Sequence, residues 1–318
     1  MTSCSLPTRL EHAHQHEKKQ PLEQTKTAPA RGGFTGPNVP TFAPLLGDYV
    51  NTGVRTPERR TDIDSLLRVL KAMGVRDYMH LVWTEDRYPS AWQDFQLMAS
   101  QFQEANIGLW LYLTPPSEGV PDPFGEDYLR WARECAQLAK QYPIIKGICI
   151  DDFNAPMNVK KFTSAYCKQM MDAAHEIAPH LSLLVVCYFG YQEAIAEHVQ
   201  SGAIDGVIFP YFFPHGNHSD TSKLLPQIKI LRNWLDEQTT QAGLSNKMPL
   251  VVMVYAQKHS LSQDKPTPEY VKTCLEIGLE ATKKGLTDGV VTYCLPKDKP
   301  TFTNNIARVY QDWKTEEK

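Results

Sequence analysis

The chain alternates short, almost continuously apolar runs with longer segments in which apolar residues recur every three or four positions. Ile63, Leu66, Leu67 and Leu70 follow the i, i+3, i+4 and i+7 spacing of one helix face, and Gly74 follows as a stop signal. The short runs are apolar at nearly every position, as expected of parallel strands that are buried on both faces. The pattern therefore predicts strands and helices in strict alternation.

Eight strands are predicted at residues 42–51, 78–83, 108–114, 145–152, 181–189, 204–212, 249–255 and 289–295. Each is followed by a predicted helix, at residues 60–73, 91–106, 126–141, 159–177, 192–200, 224–241, 268–284 and 302–313. Eight strand-then-helix units in one succession predict a closed parallel (β/α)8 TIM barrel of the α/β class. A doubly wound sheet is the alternative, but no Gly-x-Gly-x-x-Gly turn follows the first strand.

The segment before the first strand differs from the rest. Residues 1–39 are polar and show neither helical nor strand periodicity, so this segment buries too little apolar surface to offset the entropy cost of ordering it. We expect a disordered N-terminal extension at 1–39 and one barrel domain at 40–318.

Composition narrows the function classes. With 42% hydrophobic residues, 22% charged residues and a net charge of −3, the chain has no electrostatic reason to bind nucleic acid or anionic lipid. No apolar run approaches the roughly 18 residues of a membrane span, and no secretory signal is visible. The seven cysteines lack the close pairing of a zinc ribbon. We therefore expect a cytoplasmic protein with reduced core cysteines and no cofactor.

Reactive groups of a TIM barrel gather where its strands end at their carboxyl side. Here the fourth strand ends in two adjacent carboxylates, Asp151 and Asp152, and Glu85 follows the second strand; these three are the candidate catalytic residues. Other polar and aromatic residues at strand ends are candidates for substrate binding: Asp48, Asn51, Trp83, Tyr112, Asn154, Tyr188, Tyr211, Tyr255, Gln257 and Tyr293. Aromatic rings can stack on the apolar face of a sugar while acids and amides bind its hydroxyls, so a carbohydrate substrate is indicated.

Two neighbouring carboxylates repel each other as anions. One of them therefore keeps a proton toward neutral pH, as a general acid must, and the pair can divide into an acid and a base. Alternatively, either Asp151 or Asp152 caps the following helix or binds loop amides.

The segment 147–153, Gly-Ile-Cys-Ile-Asp-Asp-Phe, at the end of a barrel strand resembles the retaining TIM-barrel glycoside hydrolases. It is similar in particular to the β-N-acetylglucosaminidases of family 84, which use the substrate's acetamido oxygen as nucleophile. This resemblance implies that Asp151 polarises the acetamido N–H, and that Asp152 protonates the leaving oxygen and then activates water. It also implies a tyrosine holding the acetamido group, either Tyr211, Tyr255 or Tyr293.

Three other interpretations remain open. A two-carboxylate mechanism can use Glu85, Asp86 or Asp48 as the partner acid, and the separation of the carboxyl groups then decides between inversion and retention. A metal-dependent hydrolase or lyase can use His215 and His218 with Asp151 or Asp152 around one divalent ion. A non-catalytic barrel that binds carbohydrate is the third.

Overall fold

A computed structural model of the protein describes residues 43–211, 220–259, 262 and 264–316. Eight parallel strands pair in sequence order, and the last pairs with the first to close the barrel. They are β1 (Leu45–Tyr49), β2 (Asp77–Val82), β3 (Gly108–Leu113), β4 (Ile145–Ile150), β5 (Ser182–Val186), β6 (Gly206–Tyr211), β7 (Leu250–Tyr255) and β8 (Gly289–Tyr293). The predicted (β/α)8 TIM barrel is confirmed, whereas the predicted extension at 1–39 lies outside the described residues.

Helices surround the barrel. Within the described ranges they are α1 (Ile63–Met73), α2 (Ala91–Ala105), α3 (Tyr128–Gln141), α4 (Pro156–Lys161), α5 (Ser164–His175), α6 (Ala196–Gln200), α7 (Leu224–Gln241), α8 (Pro268–Lys283) and α9 (Pro300–Glu316). None of these helices combines the length and the apolar character needed to cross a bilayer.

The structure differs from the sequence prediction after β4. The single helix predicted at 159–177 is two helices, because Thr163 caps a new one: its hydroxyl oxygen accepts a 3.2 Å hydrogen bond from the main-chain N–H of Tyr166. Phe162, between the two helices, is fully buried. The short helix α4 thereby stays beside the loop that carries the aspartate pair.

Apolar side chains fill two separate layers. One lies between the strands and the surrounding helices, and the other fills the barrel interior with residues such as Met79, Trp110, Leu184 and Met253. Gly147 of β4 leaves room for the Trp110 ring, since a Cβ added there would lie 2.8 Å from a ring carbon. The interior is therefore packed solid, which leaves the strand ends as the place for a site.

Candidate active site

A narrow cavity opens at the carboxyl ends of the strands. Its lining combines aromatic rings with carboxyl groups: Tyr49, Trp83, Tyr88, Tyr188 and Tyr293 with Glu118, Asp151 and Asp152. These residues come from β1, β8 and the loops after β2, β3, β4 and β5. The barrel thus gathers at one point groups that are far apart in the sequence.

Asp151 follows β4 directly and accepts two hydrogen bonds on the same oxygen. The hydroxyl of Tyr112 donates to Oδ1 at 2.8 Å, and the main-chain N–H of Asp152 donates to Oδ1 at 2.9 Å. Tyr112 is fully buried inside the barrel. Two donors on one oxygen fix the orientation of the Asp151 carboxyl group.

Asp152 has a backbone conformation that L-residues rarely adopt, with φ at 39°. The Tyr188 hydroxyl and the Glu118 carboxyl group both form hydrogen bonds with the Asp152 side chain. The Tyr188 hydroxyl also lies 3.3 Å from the hydroxyl of Tyr255. Two consecutive aspartates would point to opposite faces within a strand. The turned backbone at Asp152 lets both of them line one cavity.

A third carboxyl group, that of Glu118, completes the cluster. It ends a short 3-10 turn, Pro116–Glu118, after β3. Its main-chain oxygen accepts a 2.7 Å hydrogen bond from the indole N–H of Trp83. Its side-chain Oε2 is buried without a hydrogen-bond partner among the described residues.

The three carboxyl groups have raised pKa values. Burial, and then the negative charge of Asp152, raise the pKa of Asp151 to about 8, although the bond from Tyr112 opposes this rise. Burial, and then the charges of Asp152 and Asp151, raise the pKa of Glu118 to about 9. Burial also raises the pKa of Asp152, against hydrogen bonds from Tyr188 and Glu118. Carboxyl groups this close cannot all ionise at neutral pH, so the cavity holds protons available for general acid catalysis.

Aromatic rings form the rest of the wall. The rings of Tyr49 and Tyr293 are stacked with centroids 5.0 Å apart, and Tyr255 lies 4.4 Å from Tyr293. The rings of Trp83 and Tyr88, which also line the cavity, are stacked with their centroids 6.2 Å apart. Such faces suit the apolar side of a sugar ring.

Six of the predicted substrate-binding residues lie in or against the cavity. Trp83, Tyr188, Gln257 and Tyr293 line it. Tyr112 binds Asp151, and Tyr255 contacts Tyr188 and Tyr293, so both support lining residues.

The structure places Glu85 outside this cluster. Its side chain is exposed, and its Oε1 accepts a 2.8 Å hydrogen bond from the main-chain N–H of Ser90, immediately before α2. Asp86 is exposed as well, and its Oδ1 accepts a hydrogen bond from the hydroxyl of Thr84. Both acids organise their own loop, and neither contributes to the cavity lining.

Four further predicted binding residues lie elsewhere. Asp48 is fully buried and paired with Lys297. The side-chain amide of Asn51 donates a hydrogen bond to the hydroxyl of Thr61 and accepts one from Arg55.

Asn154 and Tyr211 bind main-chain groups. The side-chain oxygen of Asn154 accepts a hydrogen bond from the main-chain N–H of Tyr188. The ring of Tyr211 packs between strands and helices, and its hydroxyl donates to the main-chain oxygen of Asp220.

The histidines of the metal interpretation, His215 and His218, lie outside the described residues. In the part of the chain that is described, no three His, Cys, Asp or Glu side chains form a group suited to a metal ion.

Sequence reasoning missed Glu118 and Tyr88, both of which line the cavity. Glu118 lies five residues beyond the end of β3, after the Pro115-Pro116 pair that ends the strand. Its distance from the strand is short enough for an active-site loop, but nothing in the sequence indicates that this loop folds back over the barrel.

No protein-family model matches the sequence, and no curated protein matches it either. The fold is similar to several solved structures. One is an α-L-arabinofuranosidase from Thermotoga maritima, with a TM-score of 0.60 and 10% identity over 86% of this chain and 71% of that one. A second is a GH5_18 variant from Streptomyces cattleya in complex with Manb1-4GlcNAc, with a TM-score of 0.59 and 13% identity over 85% and 81%. A third is the GH53 catalytic domain of Ignisphaera aggregans, with a TM-score of 0.56 and 10% identity over 86% and 98%.

These three solved structures are TIM-barrel glycoside hydrolases. Identities this low show a shared fold and leave the chemistry to be argued from the site. The narrower resemblance to the family 84 enzymes receives no support from these comparisons.

Proposed function

We propose that the protein is a glycoside hydrolase that cleaves a glycan or glycoconjugate by acid/base catalysis at Asp151 and Asp152. The observation that carries this proposal is the cluster of carboxyl groups with raised pKa values beside aromatic rings, at the open end of the barrel. The similarity to the barrels of glycoside hydrolases also supports the proposal, at the level of the fold.

Hydrolysis of a glycoside needs one protonated and one ionised carboxyl group. The carboxyl groups of Asp151 and Asp152 are buried and repel each other when both are charged, so ionisation of one disfavours ionisation of the other. This favours one protonated and one ionised group. The rings of Tyr188 and Tyr293 offer a surface for the sugar. Substrate binding and proton transfer would thus occur within one cavity.

A narrower form of the proposal is acetamido-assisted cleavage of a β-N-acetylhexosaminide with retention. In that form Asp151 polarises the acetamido N–H, while Asp152 protonates the leaving oxygen and afterwards activates water. The Tyr112 hydroxyl and the Asp152 N–H hold the Asp151 carboxyl group in one orientation, which supports a role in aligning the substrate.

A panel of 4-nitrophenyl hexosaminides, hexosides, pentosides and uronides tests both forms. We expect release of nitrophenol from at least one of them, and a loss of about 10²–10⁴-fold in Asp152→Asn. Asp172→Asn, on an exposed face of α5, is the matched control. Preference for hexosaminides supports acetamido assistance. Glycan binding without hydrolysis of any member would instead support a non-catalytic barrel and overturn the proposal.

A further inference from the structure

The loop that carries Glu118 is fastened to the loop that carries Asp152. The side chain of the fully buried Asn158 donates 2.8 Å hydrogen bonds to the hydroxyl of Ser117 and to the main-chain oxygen of Asp152. Its amide oxygen accepts a 3.2 Å bond from the main-chain N–H of Ser117. One side chain therefore fixes how the two loops, and the two carboxyl groups they carry, lie relative to each other.

Trp83 holds the same turn from the other side. Its indole N–H donates to the main-chain oxygen of Glu118, and its ring lines the cavity beside the Glu118 side chain. Contacts on both sides hold the turn, which limits the positions that the Glu118 carboxyl group can take. Such a restraint is what proton transfer to a bound substrate needs.

The hydrogen bonds distinguish Glu118 from the two aspartates. Asp151 accepts bonds from a hydroxyl and from an N–H, and Asp152 accepts one from Tyr188 and one from Glu118 itself. Accepting bonds favours the ionised form of a carboxyl group. The carboxyl group of Glu118 instead donates a hydrogen bond to Asp152, which favours the protonated form of Glu118. Its Oε2 is buried at the cavity wall and forms no hydrogen bond with any described residue, which leaves this oxygen for a ligand.

We infer that Glu118 is the residue that protonates the leaving oxygen of the substrate, with Asp152 as its ionised partner. This inference rests on the proposed function, and it moves the acid role from Asp152 to a residue on a different loop. Burial and the neighbouring charges raise the pKa of Glu118 to about 9, which keeps it protonated at neutral pH.

The proposed step conserves atoms and charge. The proton moves from Glu118 to the glycosidic oxygen while the bond between that oxygen and the anomeric carbon breaks, and the alcohol leaves. A water molecule then contributes its oxygen to the anomeric carbon and one proton to the Glu118 and Asp152 pair. The enzyme ends with the number of protons it had at the start, and no further reactant is required.

Substrates with different leaving groups test the assignment. A dinitrophenolate leaves without protonation, whereas a methanol leaving group needs an acid. We expect Glu118→Gln to lose about 10²–10⁴-fold in kcat/KM on the methyl glycoside and less than about tenfold on the dinitrophenyl glycoside. The basic limb of the wild-type pH profile should also disappear. Asp152→Asn, the comparison variant, should lose activity on both substrates.

Equal losses on both substrates in Glu118→Gln would overturn the inference. A leaving-group dependence in Asp151→Asn, with none in Glu118→Gln, would assign the acid role to Asp151 instead and would also overturn it.

Infrared difference spectroscopy separates failure of this inference from failure of the proposed function. When the wild type is titrated from neutral to alkaline pH, the infrared band of one protonated carboxyl group should disappear as that group ionises. This band should be missing from Glu118→Gln. If the wild type hydrolyses no glycoside, the proposed function fails whatever this spectrum shows. If both proteins give the same carboxyl titration, Glu118 does not store the proton and the inference fails.

Discussion

Lys297 and Asp48 form a fully buried ion pair, in which Nζ lies 2.7 Å from Oδ2. Thr292 of β8 donates a 2.7 Å hydrogen bond to the other oxygen of Asp48, and Lys297 donates to the main-chain oxygen of Val50. Asp48 precedes Tyr49, which pairs with Tyr293 across the seam between β1 and β8. The pair thus ties the end of β1 to the segment after β8, next to two residues of the cavity wall, whereas the sequence had indicated substrate binding for Asp48.

Removing one member of this pair should destabilise the fold. Lys297→Met leaves the Asp48 charge buried without its partner, so we expect the free energy of unfolding to fall by about 3–5 kcal/mol. The double variant Asp48→Leu with Lys297→Met should recover much of that loss, because no charge remains buried. Urea unfolding measures both values. A change under about 0.5 kcal/mol in Lys297→Met would show that the pair has no structural role.

Tyr112→Phe should change the protonation of Asp151. The Tyr112 hydroxyl lowers the pKa of Asp151 from the value that burial alone would give, so its removal should raise that pKa further. We expect the pH profile of kcat/KM to shift toward alkaline pH and its maximum to fall about tenfold, the loss typical of one hydrogen bond to a charged group. Tyr142→Phe, half-buried at the end of α3 and outside the cavity, controls for loss of a hydroxyl. An unchanged profile would contradict the role of Tyr112.

Glu85→Ala should affect stability rather than proton donation. The Glu85 carboxyl group accepts a hydrogen bond from the main-chain N–H of Ser90, immediately before α2, and losing one such hydrogen bond costs about 1 kcal/mol. We expect a correspondingly lower unfolding free energy, with the leaving-group dependence of kcat/KM as in the wild type. A selective loss on substrates with poor leaving groups would return Glu85 to the catalytic set.

Glu118→Gln should alter how stability depends on pH. The pKa of Glu118 is about 9 in the folded protein, against 4.5 ordinarily, so the folded state binds more protons between these values. The contribution of Glu118 to the stability of the wild type therefore falls as pH rises through that window. The glutamine variant lacks this contribution, so its melting temperature should rise relative to the wild type from acidic to alkaline pH. A constant difference between the two proteins would show that the Glu118 pKa is not raised.

The strands and the aspartate pair were predictable because their signals are local. Continuous apolar runs mark buried parallel strands, and adjacency places Asp151 and Asp152 at one strand end. The outward position of Tyr211 became clear only in the structure, where Ile208 fills the barrel interior and side chains alternate along β6. Alternation distinguishes inward from outward positions only when one residue of the strand has been placed. The sequence therefore did not separate Tyr211 from the tyrosines of the cavity.

Glu118 was not predictable, because its place in the site depends on contacts far away in the sequence. Its turn is fixed by Trp83 from one loop and Asn158 from another. The partners that occupy Asp48 and Asn51, Lys297 and Arg55, are likewise visible only in three dimensions. A residue type at a strand end indicates that a site is near, but its partners decide whether it faces the cavity.

A crystal structure of the protein with a thioglycoside that it binds but cannot cleave tests the account most directly. We expect the sugar in this cavity, its ring against Tyr188 or Tyr293, and the glycosidic sulfur within hydrogen-bonding reach of Glu118 or Asp152. A sugar bound away from the strand ends, or bound there with all three carboxyl groups out of reach of the glycosidic atom, would contradict it.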